Sequence, residues 1–371
     1  MVKMLRFKFP CSWKCECGRE HKISIKKITV ETDVIEKVGK IIDELNIGKK
    51  CLIVEDEITK KIAGDGIKES LKDFDVFETV ITAVNEKNIN KVSNLIKNFN
   101  FAIAVGGGSI IDVTKYTTFQ HNKPFISFPT TPSHDGIASA RASLMERGVS
   151  QPAHPPIAVI ADLKIIRQSP PRMISAGFGD LIAKITALKD WQLGRDEKNE
   201  DYCNYIEKFI LSAVNNAIKN SDGIKKRSTP SIKSLVNDLI ACSIAMLCWN
   251  SSRPCSGSEH LFSHYLDLHA KKPMMHGEQC GMGTLLMATW HKKYNENWWS
   301  QPKYQPQNIR KMLENLNVPI TLNPIGISHE EVIKALTHAH KLRPERYTIL
   351  HKQPLKTCDA KKLLEESGVD K

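Results

Sequence analysis

The sequence predicts an α/β N-terminal nucleotide-binding domain followed by an all-α C-terminal domain. Three observations carry that expectation. In the first 170 residues, short apolar runs such as Cys51–Val54 and Phe101–Val105 alternate with segments of helical period, the pattern of parallel strands buried on both faces. A glycine run, Gly106-Gly107-Gly108, stands between one such strand and the next helix. From about Arg172 onward long helical segments replace the alternation.

Taken in order, Val34, Ile35, Val38, Ile41, Ile42 and Leu45 recur at helical spacing, and Gly48 stops that helix. Cys51–Val54 reads as a buried strand, Ile58–Leu71 as a helix, Val76–Ala83 as a strand and Ile89–Phe99 as a helix. Phe101–Val105 is the next buried strand, followed by a helix over Ile110–Phe119 and a strand over Pro124–Phe128. Residues 129–171 are rich in Pro, Ser and Gly, with one further strand over Ile157–Ala161. Helices are then expected over 177–194, 202–220, 231–249, 257–270, 281–293 and 307–316. The expected division is a Cys/His lead-in over 1–22, a dinucleotide domain over 23–170 and a helical metal and substrate domain over 171–371, with the boundary near Ser169–Pro171.

A chain of 371 residues with 41% hydrophobic and 25% charged residues is a folded globular protein long enough for two domains. The net charge of +12 suits a Lys-rich surface, and it also attracts anionic substrates and cofactors. Nucleic-acid binding is disfavoured, because Lys225-Lys226-Arg227 and Lys271-Lys272 are short runs and aromatics are only 7%. No run approaches the roughly 18 apolar residues of a membrane-spanning helix, and Met1–Pro10 lacks the apolar stretch of a signal peptide. A cytoplasmic protein with no integral membrane association is expected. Ten cysteines in this length do not make a disulfide scaffold. Cys51, Cys203, Cys242, Cys248, Cys255 and Cys280 read as scattered reduced thiols, and Cys358 lies in the tail.

The chemistry-bearing strings are few. Gly106-Gly107-Gly108-Ser109 lets backbone approach a pyrophosphate at a helix N-terminus, although the spacing is not the G-x-G-x-x-G fingerprint and a ligand-free tight turn is the alternative. Asp112, one turn on, either caps locally or faces the cofactor. Glu55-Asp56 follows the Cys51–Val54 strand, where an acid binds ribose hydroxyls or is simply a solvated loop acid. Pro129-Thr130-Thr131-Pro132-Ser133-His134-Asp135-Gly136 packs short polar groups at a strand's carboxyl end, as a ligand site or as a polar turn. Asp180 and Lys184 share a helix face, which taken alone favours an exposed ion pair over a site. His260 and His264 share another, and His276-Gly277-Glu278 follows on what reads as a loop. Two imidazoles and a carboxylate, His260, His276 and Asp180, leave coordination positions open for a divalent Lewis acid. Cys11, Cys15, Cys17 and His21 form a compact set that is either a small zinc knuckle or free thiols in a lead-in.

In order along the chain, Gly106-Gly-Gly-Ser-x-x-Asp112, Pro129–Gly136, Gly177-Phe-Gly-Asp180, Gly257-Ser-Glu-His260, His276-Gly-Glu278 and Arg343-Pro-Glu-Arg-Tyr-Thr348 resemble the sn-glycerol-1-phosphate dehydrogenases, the AraM-like group included. These belong to the dehydroquinate synthase-like superfamily, with the iron-containing alcohol dehydrogenases and glycerol dehydrogenases. The resemblance runs from about Ile23 to Gly368, and the Cys-Glu-Cys-Gly-x-x-His lead-in resembles that of AraM-like members. It implies an active site in the cleft between the domains and NAD(P)H-dependent reduction of dihydroxyacetone phosphate to sn-glycerol 1-phosphate, for glycerophospholipid backbones. It also implies one divalent metal (zinc, nickel or iron) held by Asp180, His260 and His276, and a homo-oligomer. The cofactor would lie along Gly106–Ser109, with Glu55, Asp56, Asp112, Thr130, Thr131 and Ser139 nearby. Asp135 would sit by the substrate hydroxyl and carbonyl, and His264 or a water would deliver the proton. A phosphate needs a cation; Arg141 is the candidate, with Ser139 and His134 adding hydrogen bonds, unless Arg141 pairs with a nearby acid. The rival readings are a 3-dehydroquinate synthase, whose more basic, Asn/Lys-rich site is not found here, a glycerol dehydrogenase-like enzyme, and a non-catalytic basic binding protein on the same scaffold.

Overall fold

A computed structural model describes residues 10–144, 150–322 and 326–370. The start of the chain, read above as lacking a signal peptide, lies outside the described residues up to residue 9, as do residues 145–149 of the Pro-, Ser- and Gly-rich stretch. Strands β1 (Cys11–Lys14) and β2 (Glu20–Ile23) make an antiparallel hairpin that the sequence reading missed. Then come β3 (Lys27–Glu31), also missed, a 3-10 turn leading into α1 (Val38–Leu45), and β4 (Lys50–Glu55). The helical stretch after β4 is α2 (Glu57–Thr59), a π-helical turn and α3 (Asp65–Ser70). β5 (Asp75–Val80), α4 (Glu86–Ile96), β6 (Phe101–Gly106), α5 (Gly108–Gln120) and β7 (Phe125–Pro129) continue the alternation. A two-residue pair, β8 (Arg141–Ala142) and β9 (Gln151–Pro152), precedes β10 (Ala158–Asp162) and α6 (Leu163–Gln168).

Among the described residues, six strands form one parallel sheet in the order β3-β10-β7-β6-β4-β5. Side chains alternate between its faces, as the pleat requires. Leu52, Val54, Ala102 and Ala104 join the larger core, while Cys51, Ile53, Phe101 and Ile103 pack with α1 and α3 on the other side. Both faces are covered, which is why these strands read as continuous apolar runs. The chain leaves β4 toward β5 and leaves β6 toward β7, so the order reverses between β4 and β6. The glycine run follows β6 at that point, where open parallel sheets form their ligand crevice.

The helical part comprises α7 (Pro171–Lys198), α8 (Asn204–Lys219), α9 (Ser221–Lys225), α10 (Thr229–Trp249), α11 (Ser258–His269), α12 (His276–Tyr294), α13 (Pro306–Asn315), α14 (His329–His338), α15 (Ile349–Lys352) and α16 (Thr357–Ser367). α7 is buried on every side over its middle turns and packs against α8, α11 and α12. α10 is long and apolar enough to cross a membrane, but 78% of its most apolar window is buried inside the protein.

Candidate active site

Close backbone approach brings the site together. A Cβ on Gly177 would lie 1.8 Å from the carbonyl oxygen of Pro132, and one on Gly277 would lie 1.9 Å from that of Ala176. With glycine at both positions, the loop after β7 and the first turn of α12 close onto α7, beside Asp180. His276 is the first residue of α12 and not part of a loop. Glu278 explains this: its carboxylate accepts the N–H of Met275 (3.1 Å) in a capping box and pairs with Arg172 at 2.5 and 2.8 Å. Asp190, further along α7, fixes the start of α11 by accepting from the N–H and hydroxyl of Ser258, both at 2.6 Å.

Asp180, His260 and His276 converge, and Cys280 joins them, with one potential ligand atom of each within 4.8 Å of the others. Asp180 Oδ1 lies 3.7 Å from His260 Nε2. The remaining ring nitrogens are occupied: His260 Nδ1 by Glu259 at 2.7 Å and His276 Nδ1 by the Ser263 hydroxyl at 3.2 Å. Such partners orient imidazoles with Nε2 toward a cation. The donor set therefore fits a divalent metal. Burial opposes the charge on Asp180, but the Lys184 ammonium, by its charge and its hydrogen bond, holds the carboxyl well below the usual range. Burial, with Lys184 next, holds His260 well below its ordinary value, keeping it neutral as a ligand must be.

Lys184 corrects the exposed-pair reading. It and Asp180 have no solvent exposure. Its ammonium lies 2.5 Å from Asp180 Oδ1 and 2.8 Å from Asp135 Oδ2, and despite burial these carboxylates raise its pKa well above the usual value. The N–H of Asp135 also donates to Asp180 Oδ2 at 2.7 Å.

One cleft is lined by Asp112, His134, Asp135, Ser139, Arg141, His260, His264 and His276, together with Ser252, Ser256 and Arg343. The ring of His264 stacks on that of His276, with centroids 6.1 Å apart, and burial followed by His276 holds it well below its ordinary pKa. Among the described residues Arg141 pairs with no acid, and its guanidinium donates to the hydroxyl (3.2 Å) and carbonyl of Ser150; Glu146, the nearest acid in sequence, lies outside them. Arg343 is near enough that, after burial, Arg141 is the next cause lowering its pKa. Two cations thus face one space. Asp112 turns inward, accepting from Lys115 and from the N–H of Ser143, both at 2.9 Å, and Ser139 donates to the carbonyl of Arg141 at 3.1 Å.

Gly106, Gly107, Gly108, Ser109, Thr130 and Thr131 lie outside that lining. Gly108 adjoins it at His134, whose Nε2 would be 2.1 Å from a Cβ on that glycine. Gly107 caps α5 without a side-chain bond, which leaves the first N–H groups of that helix for a ligand. Glu55 and Asp56 depart from expectation. Asp56 caps α2, accepting the N–H groups of Ile58 and Thr59 at 2.8 Å. Glu55 is wholly buried beneath Gly64, and burial pushes its carboxyl up to about 7. Neither faces the cleft, and Glu55 is not the solvated loop acid of the alternative reading.

The sequence reading gave no site role to Arg343 or Cys280, and it took Lys184 for one half of an exposed pair. Arg343 opened a string used only for its resemblance, and Cys280 stands one turn from His276 on α12, where the i, i+4 spacing was a signal. Burial pushes the Cys280 thiol well above its usual value.

Residues 29–170 match the family model described as iron-containing alcohol dehydrogenase. A Pyrococcus abyssi protein named glycerol-1-phosphate dehydrogenase (NAD(P)+) is 41% identical over 349 residues, 93% of this chain and 98% of that protein. Its namesake from Sulfurisphaera tokodaii is 38% identical over 360 residues, 95% of this chain and 99% of its own. The crystal structure of a probable glycerol dehydrogenase from Sinorhizobium meliloti superposes with a TM-score of 0.74 over 92% of this chain and 96% of that one, at 16% identity, and so shares the fold. On identity and coverage of that order, the chain belongs to the glycerol-1-phosphate dehydrogenase family, built on the iron-containing alcohol dehydrogenase fold.

Proposed function

We propose that this chain reduces dihydroxyacetone phosphate to sn-glycerol 1-phosphate with NAD(P)H. The carrying observation is that Arg141 and Arg343 face the same cleft as His260, His264 and His276. A phosphate is a dianion, and guanidinium pairs bind its oxygens bidentately; an unphosphorylated polyol has no use for two cations. In this reading residues 23–170 carry the dinucleotide, with the pyrophosphate at Gly106–Ser109, and residues 171–371 carry the reacting end. Asp180, His260 and His276 hold a divalent cation, which would supply Lewis acidity toward the carbonyl oxygen while the nicotinamide supplies the hydride. The chain's own residues orient the substrate. Arg141 and Arg343 take the phosphate, Asp135 lies beside the hydroxyl and carbonyl, and Lys184 holds Asp135 and Asp180 in place. His264 is neutral, so it passes a proton through: one ring nitrogen gives up its hydrogen to the product oxygen while the other accepts from water.

The test is an NAD(P)H oxidation panel on metal-loaded protein. The phosphate ester should exceed unphosphorylated dihydroxyacetone in kcat/KM by about 100-fold or more, the effect of roughly 3 kcal/mol of desolvated charge pairing. Arg141→Ala and Arg343→Ala should each lower kcat/KM for the ester by about 30-fold and leave the unphosphorylated ketone nearly unchanged. A wild type that prefers the unphosphorylated ketone or glycerol overturns the activity. Silent arginine variants in an ester-preferring enzyme overturn only the phosphate contacts.

A further inference from the structure

A second cluster of potential metal ligands lies in the N-terminal hairpin. Cys15 and Cys17 stand in the turn between β1 and β2, His21 is on β2, and Cys203 caps the N-terminus of α8. One ligand atom from each lies within 4.8 Å of the other three. Cys11 is not among them; Cys203, read from sequence as a scattered thiol, takes its place.

The spacings are those of a tetrahedron. Cys15 Sγ lies 3.6 Å from Cys203 Sγ, and His21 Nε2 lies 3.5 Å from both Cys17 Sγ and Cys203 Sγ. Around zinc, with Zn–S of about 2.3 Å and Zn–N of about 2.0–2.1 Å, the edges of a tetrahedron are about 3.8 Å between sulfurs and about 3.6 Å from sulfur to nitrogen. A disulfide requires about 2.05 Å.

The surroundings are built for ligation. His21 is wholly buried and its Nδ1 meets the carbonyl oxygen of Cys248 on α10 at 2.9 Å, which fixes the tautomer and leaves Nε2 facing the sulfurs. The turn is a knuckle: Cys15 accepts the N–H of Gly18 and donates to the carbonyl of Arg19, both at 3.0 Å, with Gly18 at φ +84°. That left-handed conformation suits glycine and turns the thiols of Cys15 and Cys17 to one side. Arg19 stacks on Trp249 at 4.0 Å and pairs with Asp201, so a positive charge stands beside three prospective thiolates.

We propose that Cys15, Cys17, His21 and Cys203 form a closed, structural zinc site that clamps the N-terminal hairpin to the helical part of the chain. Four protein ligands leave no open coordination position, so the site does not react with substrate. It joins residues 188 apart in sequence, which makes zinc binding part of folding. The site is separate from the Asp180 cluster, and its test does not depend on the proposed activity.

The experiment uses the full-length Asp180→Asn chain, which removes the carboxylate of the other cluster, purified under reductant and dialysed. Metal content is measured by plasma mass spectrometry, and the zinc shell by X-ray absorption. One zinc per chain with three sulfur neighbours and one nitrogen is expected. Adding Cys203→Ser should reduce retained zinc at least tenfold, while Cys11→Ser and Cys358→Ser should keep it. A dialysed parent without zinc, a shell of oxygen and nitrogen only, or full zinc retention in a folded Cys203→Ser chain overturns the proposal. If the Cys203→Ser chain fails to fold, the sulfur count in the parent decides by itself.

Discussion

Lys184 puts an ammonium where water does not reach, between the carboxylates of Asp135 and Asp180. Removing one partner of a buried pair leaves uncompensated charge, at a cost of about 3–5 kcal/mol. Lys184→Met should therefore destabilise the metal-free protein by that order in urea titrations. Saturating divalent metal should recover much of the loss, because a cation at the Asp180 cluster replaces the missing charge. Equal destabilisation with and without metal would show that Asp180 does not face the cation. The same residues show what one sequence can reveal. Asp180, His260 and His276 were legible because each sits in a string whose neighbours, Gly179, Glu259 and Gly277, serve local geometry. Lys184 was visible as an i+4 partner, but its burial follows from α7 being enclosed on every side. Arg343 and Cys203 depend on contacts between distant segments, which no local spacing records. Glu55 misled because its position at a strand end is that of a ribose-binding acid, while the π-helical turn that covers it is set by packing.

Among the elements, the N-terminus of α5 has the sharpest consequence. A Cβ on Gly107 meets nothing nearer than Thr131 Oγ1 at 3.7 Å, an ordinary contact, and the extended backbone there (φ −80°) is open to any residue. Gly107→Val should keep the wild-type Tm and raise the cofactor KM at least tenfold, since the branched side chain would fill the space a pyrophosphate needs over the helix N–H groups. An unchanged KM would remove this helix from the cofactor site. Gly108 gives no such clean test, because His134 occupies its Cβ position. The buried strands β4, β6, β7 and β10 were legible as apolar runs, being covered on both faces. β1, β2 and β3 were not, since the hairpin alternates toward solvent and β3 is a short edge strand carrying Lys27 and Glu31. Helix starts moved where caps decided them. Asn85 accepts the N–H of Asn88 and begins α4 three residues before the apolar pattern does. α12 begins at His276 although glycines at 277, 281 and 283 weaken helix propensity, because backbone packing against α7 outweighs that cost.

For the whole molecule, buried carboxylates set the response to pH, and they act in opposite directions. Asp180 and Asp190 are buried, yet their partners (the Lys184 ammonium for Asp180, the contact with His291 and the hydrogen bonds from Ser258 for Asp190) hold them below the usual range, so their contribution is lost as pH falls through their folded pKa values. Asp238 on α10 behaves conversely. It is 2% exposed, and burial, only partly offset by the amide of Asn216 and the hydroxyl of Ser234, pushes its carboxyl up to about 7. An unfolded aspartate titrates near about 3.9. Below that pH both states are protonated and nothing is lost; between it and about 7 the folded chain binds more protons, so stability falls as pH rises. Above about 7 the full penalty remains, on the order of a few kcal/mol for a shift of this size. Asp238→Asn keeps an oxygen to accept from Asn216 and carries no charge at any pH. The variant should match the wild type near pH 4 and gain on it steadily up to about pH 8, the Tm difference widening over that window. The comparison is made between variant and wild type at each pH, which cancels the shared contributions of Asp180, Asp190 and the net charge of +12. A Tm difference that stays flat from pH 4 to 8 would mean that Asp238 ionises as freely in the fold as in the open chain, and that the contact between α8 and α10 admits water.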